Sequence, residues 1–462
     1  MDLSQSIETK QANSVTLIKN KFLDLLNVKE DKDLDTILME KVLSKDIFSL
    51  FDDYLDIVGG LERDFIMEIY SNFLADRKGL KQDYTPQSLG RMIAKIANDK
   101  DDNIKTCYDC CCGSGSLTLE FWKINPDVTF YMHELDTTVM PFLLFNLMIR
   151  GINADVINGN VLSQEIFRVY SIRNRGRYSS VELLNPENYI IPICDVAISN
   201  PPFNLSFKDK KDYSKYCGYK QTAKADGLFC IRCLEQIKED GKVLFIEFPG
   251  LNYRSNGEEK IRQYIIENNI LDCVICLPDS LFVNVSVETI IWFLDKDKKH
   301  TDFLFLDNAN CNVHKDFFIR YKNGTYGGAS HENRVYIKKY DGFDDGNIEM
   351  TIDAINERCS PLDYYVYKVN KEEFNKNYNL AIGKQYFEEY QKDKGEKIEY
   401  ICGKDLWNRP IITKTYPDKI KKKIDKRIEW IRENPEEFWE EYYKKSEEFW
   451  GNYGEIEISI RH

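Results

Sequence analysis

Histidine is scarce in this chain, five in 462 residues. No apolar run is long enough to cross a bilayer, and the first residues, Met1-Asp-Leu-Ser-Gln, are polar and acidic rather than a secretory leader. There is no internal repeat and no low-complexity tract. An excess of positive charge is also missing. The formal net charge is −13, which argues against indiscriminate nucleic-acid binding and leaves room for a local basic groove or a basic partner subunit. Cysteine, by contrast, is present in an odd number, 13, with several inside apolar strands and helices. That usage suits buried thiols in a reducing cytosol better than a disulfide framework. These bounds lead us to expect a large soluble cytoplasmic protein of two or three domains.

Two Cys-x-x-Cys pairs invite a metal reading. Cys230 and Cys233 fall in an expected helix. Cys273 and Cys276 fall in an expected strand, where positions three apart point to opposite faces. Neither pair offers the turn of a zinc knuckle, and we assign both to core packing, with no metal expected.

The chain divides into three stretches. Residues 1–80 read as helical and polar, with amphipathic runs at Ser14–Leu26 and Glu62–Ala75. Lys81-Gln-Asp-Tyr84-Thr85-Pro86 is an extended step that opens a helix. From residue 104 strands and helices alternate, predicting a mostly parallel sheet with helices on both faces. The expected strands are Ile104–Asp109, Val128–Leu135, Asp155–Asn158, Ile193–Ser199, Lys242–Pro249, Leu271–Leu277 and Thr289–Leu294, with Thr301–Leu306 as an edge strand or an exit from the domain. Leu117–Lys123, Val139–Arg150, Leu228–Lys238 and Glu258–Asn268 are the intervening helices. Arg173, Arg175 and Arg177 are assigned to a polar loop. After about residue 335 the alternation fades, and 336–462 reads as mostly helical. There Ile420, Ile424, Ile428 and Ile431 recur at helical spacing in a basic segment, and Trp407, Trp430, Trp439 and Trp450 gather.

The chemistry concentrates where strands end. Asp195-Val-Ala-Ile-Ser runs into Asn200-Pro201-Pro202-Phe203. The two prolines can neither extend a sheet nor enter a helix interior. At a strand's carboxyl edge such a turn holds carbonyl oxygens and one ring in a fixed arrangement. An adenine amino nitrogen is a poor nucleophile because its lone pair is delocalised. The Asn200 side-chain oxygen and the Pro201 carbonyl can accept its two hydrogens, and Phe203 can stack on a base pulled from its duplex. Upstream, Asp109-Cys110-Cys111-Cys112-Gly113-Ser114-Gly115 closes the first strand with small residues that allow close backbone approach. Glu134 ends the second strand, placed to accept from a ribose diol. Asn160 follows the third, where an amide can meet an adenine edge. His133 beside Glu134 is assigned to packing or the surface. Four consecutive strand ends on one rim point to S-adenosylmethionine, which donates a methyl without metal or general base.

In this order, Tyr84-Thr85-Pro86, Tyr108-Asp109 with Gly113-Ser114-Gly115, Glu134 and Asn200–Phe203 resemble the amino-methylating DNA adenine methyltransferases. The chain is most similar to the modification subunits of type I restriction–modification systems, over about residues 62–300. Asp226-Gly-Leu-Phe, Gly241-Lys-Val-Leu-Phe-Ile and Val287-Glu-Thr289-Ile-Ile-Trp-Phe-Leu carry the later part of the likeness. The resemblance implies a Rossmann-like S-adenosylmethionine-dependent methyltransferase sheet at 81–335, flanked by helical N- and C-terminal regions. It implies Asn200, Pro201, Pro202 and Phe203 as the catalytic loop. Tyr84, Thr85, Pro86, Asp109, Cys111, Gly113, Ser114, Gly115, Glu134 and Asn160 then form the cofactor site, with Asp109 facing the amino-acid ammonium. Cys110 stands where that family usually carries proline, and Asn160 replaces its usual aspartate. The implied partners are double-stranded DNA, a separate specificity subunit that reads sequence, and a restriction or translocase subunit. Two other readings stay open, an RNA or protein-glutamine amino methyltransferase and a non-catalytic scaffold of the same fold.

Overall fold

The computed structural model describes residues 3–74, 85–99, 103–207, 224–255, 257–277, 281–282, 288–308, short pieces between 319 and 337, 345–359, 366–374, 378–393, 400–404 and 410–413. One compact unit takes in Met1–Arg320 and Tyr336–Phe387. Its centre is an eleven-stranded sheet.

Five neighbouring strands run parallel: β3 (Asn153–Asn160), β2 (Thr129–Glu134), β1 (Thr106–Asp109), β6 (Cys194–Ser199) and β7 (Ile237–Glu247). Next comes β9 (Ile290–Asp295), antiparallel between β7 and β8 (Leu271–Cys276). Beyond β8 lie β10 (Phe303–Asp307) and the strand Val366–Val369. The chain moves outward from β1 in one direction through β2 and β3, and in the other through β6 and β7. The switch point therefore falls at the carboxyl ends of β1 and β6, where open α/β sheets bind ligands.

Alternate residues along these strands supply two separate cores, as the period of two requires. Phe130, Met132, Val196, Ile198, Leu244 and Ile246 face one layer. Ala197, Val243, Phe245, Val274 and Trp292 face the other. The first layer holds α5 (Gln87–Asn98), α6 (Ser116–Ile124) and α7 (Met140–Ile149); the second holds α8 (Asp226–Glu235) and α9 (Gly257–Glu267). Every residue of α7 is buried, because its outer side is covered in turn by α1 (Leu3–Leu26), α2 (Leu34–Val42), α3 (Ile47–Val58) and α4 (Phe65–Phe73). Phe22 of α1 and Phe51 and Tyr54 of α3 meet Phe145 of α7 edge-on, at 5.7, 5.0 and 5.2 Å between ring centroids. A helix apolar all round is one with neighbours all round.

The structure corrects three expectations. Arg173, Arg175 and Arg177 do not form a loop: Arg173 lies in β4 (Glu165–Asn174), and Arg175 and Arg177 sit at its turn into β5 (Ser179–Leu184). This hairpin extends the sheet antiparallel from β3. Nor is β10 an edge, since Val366–Val369 pairs along it. The helix expected to reach Lys238 ends at Glu235, and β7 begins at Ile237. Helix α10 (Asp345–Glu357) precedes the strand Val366–Val369 in the chain, and α11 (Ile382–Asp393) follows it. A second unit, Tyr321–Val335 with Glu388–His462, has two antiparallel pairs among its described residues, Thr325–Tyr326 with Ala329–Ser330 and Tyr400–Lys404 with Pro410–Thr413. The basic segment from Lys419 and all four C-terminal tryptophans lie outside the described residues.

Candidate active site

At the switch point the strand ends surround one pocket. Register sets their relative heights. Asp109 of β1 is level with Ile198 of β6 and with Met132 of β2, so Asn200 and Glu134 each stand two residues further out, on either side of the turn that leaves β1.

That turn is built from two left-handed glycines, Gly113 at φ +54° and Gly115 at φ +90°, which L side chains adopt only at a cost. Gly115 caps the start of α6. The Asp109 carboxylate is buried at its base. Oδ1 accepts the Cys111 N–H at 3.1 Å, while Oδ2, like Ser114 Oγ, has no hydrogen-bond partner among the described residues. Burial, reinforced by Cys110, pushes the Asp109 carboxyl well above the usual carboxylate range. Cys110 lies 3.1 Å from the Ser199 hydroxyl and 3.6 Å from Cys233 of α8.

Glu134 is gripped by backbone. Oε2 accepts from Gly113 N–H at 2.8 Å and Oε1 from Asp136 N–H at 2.7 Å. Burial outweighs these bonds and raises its carboxyl to about 7. His133 is buried with its Nδ1 3.1 Å from the Tyr108 hydroxyl. Desolvation lowers it to about 4, so the ring is neutral and packed. Asn160, the last residue of β3, turns its Oδ1 onto the N–H groups of Leu162 and Ser163, at 3.0 and 3.3 Å.

On the opposite side, Asn200 leaves β6 and its Nδ2 donates to Thr85 Oγ1 at 2.9 Å. Phe203 stands edge-on to Phe282, 5.8 Å between centroids. Thr85, Asp109, Cys111, Gly113, Ser114, Glu134, Asn160, Asn200, Pro201, Pro202 and Phe203 all line the one pocket. Gly115 and Pro86 do not; they cap α6 and α5 behind it. Tyr84 lies outside the described residues.

Among the lining residues that escaped the sequence reading are Tyr70 and Asp136, which bond to each other. The Tyr70 hydroxyl, from α4, donates to Asp136 Oδ2 at 2.7 Å. Asp136 Oδ1 in turn accepts from the N–H and hydroxyl of Thr138, each at 2.8 Å. An acid two residues beyond Glu134 was a visible signal. Its tyrosine partner, 66 positions away, was not.

Residues 56–394 match the family model described as N-6 DNA Methylase. The chain belongs to that family. Among curated members, it is 26% identical over 404 residues to the type I restriction enzyme MpnII methylase subunit of Mycoplasma pneumoniae, a match covering 84% of this chain and 65% of that one. It is 25% identical over 281 residues to the HindI methylase subunit of Haemophilus influenzae, covering 56% and 57%. The chain thus spans less than two thirds of the length of these relatives. The solved structure of a type I restriction–modification methyltransferase subunit from Streptococcus thermophilus aligns with a TM-score of 0.51 at 21% identity, covering 79% of this chain and 78% of that one. That likeness is one of fold, and it bears out the expected Rossmann-like methyltransferase sheet with flanking helices. Among the described residues no helix is long and apolar enough to cross a membrane.

Proposed function

We propose that this chain is a site-specific DNA adenine-N6 methyltransferase, the modification subunit of a restriction–modification-type system, acting on an adenine flipped out of its duplex. The observation that carries the reading is the placement of Asn200–Phe203 on the rim of the pocket that Asp109, Gly113 and Glu134 line. S-adenosylmethionine, when bound, supplies an electrophilic methyl group.

The residues suit that ligand by their donor set. A buried Asp109 oxygen and a buried Ser114 hydroxyl, both without partners among the described residues, fit polar groups such as an ammonium and a carboxylate. A carboxylate held by two N–H groups at the end of β2 fits a ribose diol. Gly113 keeps that wall low. On the reacting side, the Asn200 side-chain oxygen and the Pro201 carbonyl accept the two hydrogens of the target amine. They hold its nitrogen towards the methyl donor and stabilise the positive charge that grows on it. The Phe203 ring presents a face to the extruded base.

Sequence reading is assigned to a separate specificity subunit, a division of labour that accords with the net charge of −13. On this reading 336–462 serves partner docking and 81–335 serves chemistry in the cytoplasm, with the helical region 1–80 adding Tyr70 to the pocket. The test is to map modified adenines in DNA from cells expressing the chain with its genomic neighbours, beside methyl-transfer assays on DNA, RNA and protein. N6-methyladenine at a defined DNA motif is the expected result. Transfer to RNA or protein alone overturns it.

A further inference from the structure

The polypeptide leaving Phe203 turns sharply. Asn204 adopts φ +56°, and what fixes it there is a buried acid 22 residues downstream. The Asn204 N–H donates to Asp226 Oδ1 at 2.8 Å. Asp226 opens α8 and is fully buried. Its Oδ2 pairs with Arg254 Nη1, and Arg254 Nη2 reaches Asn204 Oδ1 at 3.4 Å. Arg254 itself is pinned at the exit of β7, its N–H donating to the Gly250 carbonyl at 2.9 Å. Beside this clasp the Leu205 carbonyl accepts from Ala225 N–H at 3.0 Å, tying the outgoing chain to the start of α8.

A buried carboxylate without a cation is costly, and breaking a buried pair costs more than the pair contributes. Glu247 and Glu258 are buried near the same guanidinium. Burial and the Asp226 carboxylate push Glu247 well above the usual range, and Asp226 is the acid that Arg254 contacts directly. The arrangement joins three separate elements, the β6 loop, the start of α8 and the exit of β7, at the residue after Phe203. Neither Asp226 nor Arg254 lines the cofactor pocket.

We infer that Asp226 and Arg254 are positioning residues for the Asn200–Phe203 loop, setting its direction through Asn204 and so the alignment of the target amine, without contributing to cofactor affinity. The inference rests on the methyltransferase reading above. Misplacing a reacting group by about 1 Å is enough for a rate loss of about a hundredfold.

The experiment uses the full-length chain co-expressed with its genomic neighbours, as wild type and as Arg254→Met, Arg254→Lys and Asp226→Asn. Three quantities are read for each: single-turnover methyl transfer at saturating S-adenosylmethionine and DNA, S-adenosylmethionine affinity by calorimetry, and hydrogen exchange over residues 203–206. Arg254→Met and Asp226→Asn should lose about tenfold to a hundredfold in rate and exchange faster at residues 203–206, with cofactor affinity unchanged. Arg254→Lys should recover part of both. Wild-type rate and exchange in a folded Asp226→Asn protein overturn the inference, as does a parallel loss of cofactor affinity. If even the wild type methylates nothing, the functional reading fails by itself, and the exchange measurement still decides whether the clasp sets the loop.

Discussion

The Asn200 side-chain amide donates to the Thr85 hydroxyl at 2.9 Å, joining the end of β6 to the chain that enters α5. An amide whose nitrogen is engaged in this way presents its oxygen as the acceptor. The hydrogen bond therefore selects the orientation that the proposed chemistry needs. Asn200→Ala should abolish methyl transfer, by about 10²–10³ in rate or more, while calorimetry finds S-adenosylmethionine binding largely retained. Near-normal turnover in the mutant removes Asn200 from the catalytic assignment.

Thr85 offers a finer test of the same bond. Thr85→Ser keeps the hydroxyl and should keep the turnover rate. Thr85→Val keeps the shape, removes the acceptor and leaves the amide free to rotate. A lost hydrogen bond of about 0.5–1.5 kcal/mol corresponds to a fall in kcat of roughly two- to thirteenfold. Equal rates for the two variants would show that Thr85 does not orient Asn200.

Gly113 and Gly115 share a left-handed backbone and differ in surroundings. A Cβ at Gly115 would stand 2.9 Å from Leu143 Cδ1, whereas at Gly113 nothing among the described residues lies within 4 Å. Both substitutions incur a conformational cost of about 1–2 kcal/mol. Gly115→Ala adds a clash inside the core and should lower the melting temperature further. Gly113→Ala places its methyl on the pocket wall and should chiefly weaken cofactor affinity. Thermal melts and calorimetry on the two variants separate these effects.

Much of this site was legible because its residues punctuate short apolar strands. Asp109, Glu134 and Asn200 each follow a run that can only be a strand, and the alternation with helices puts their ends on one rim. What stayed hidden depends on distance along the chain. The hairpin of β4 and β5 was unreadable because Arg168 breaks the apolar run of β4 and Arg173 stands near its end. The Arg173 charge is tolerated since its guanidinium pairs with Asp155 at 2.8 Å and donates to the Ala154 carbonyl at 3.1 Å. The strand covering β10 is four residues long, more than fifty positions downstream. Tyr70 and the Asn204–Asp226–Arg254 clasp have no local signature, because each is defined by a partner on another element.

The segment from Lys419 lies beyond the described residues, and its sequence supports one prediction. Phe438 with Tyr442 and Trp439 with Tyr443 are spaced i, i+4, which gathers rings on one side of a helix. Deleting residues from Lys419 onward should leave cofactor binding intact and abolish assembly with the specificity subunit, and with it DNA methylation. Pull-down and cofactor titration on the same truncated protein decide the matter. Assembly without the tail removes it as a docking element, and loss of cofactor binding makes it part of the core.

Glu134 connects the pocket to pH. Its carboxyl is raised from 4.5 to about 7 by burial, so in the free protein it is about half protonated at neutral pH. Only the ionised form accepts both hydrogen bonds from a diol. Cofactor affinity should therefore be highest above pH 7 and fall as pH drops below it, by about tenfold per unit where this group dominates. The stability effect has the opposite sign. A carboxyl whose folded value lies above its unfolded one stabilises the fold below pH 4.5, and that contribution is lost as pH rises through 7. His133, held neutral down to about 4, does not titrate in this window. Glu134→Gln should flatten the share of both profiles that Glu134 carries while leaving that of Asp109 in place. Glu134→Ala should weaken binding outright, each lost charge-assisted hydrogen bond being worth roughly 1.5–3 kcal/mol. Calorimetry of the three proteins between pH 5.5 and about 8.5, a span set around that raised value, is the measurement. An unchanged profile in Glu134→Gln would place the diol contact elsewhere on the rim.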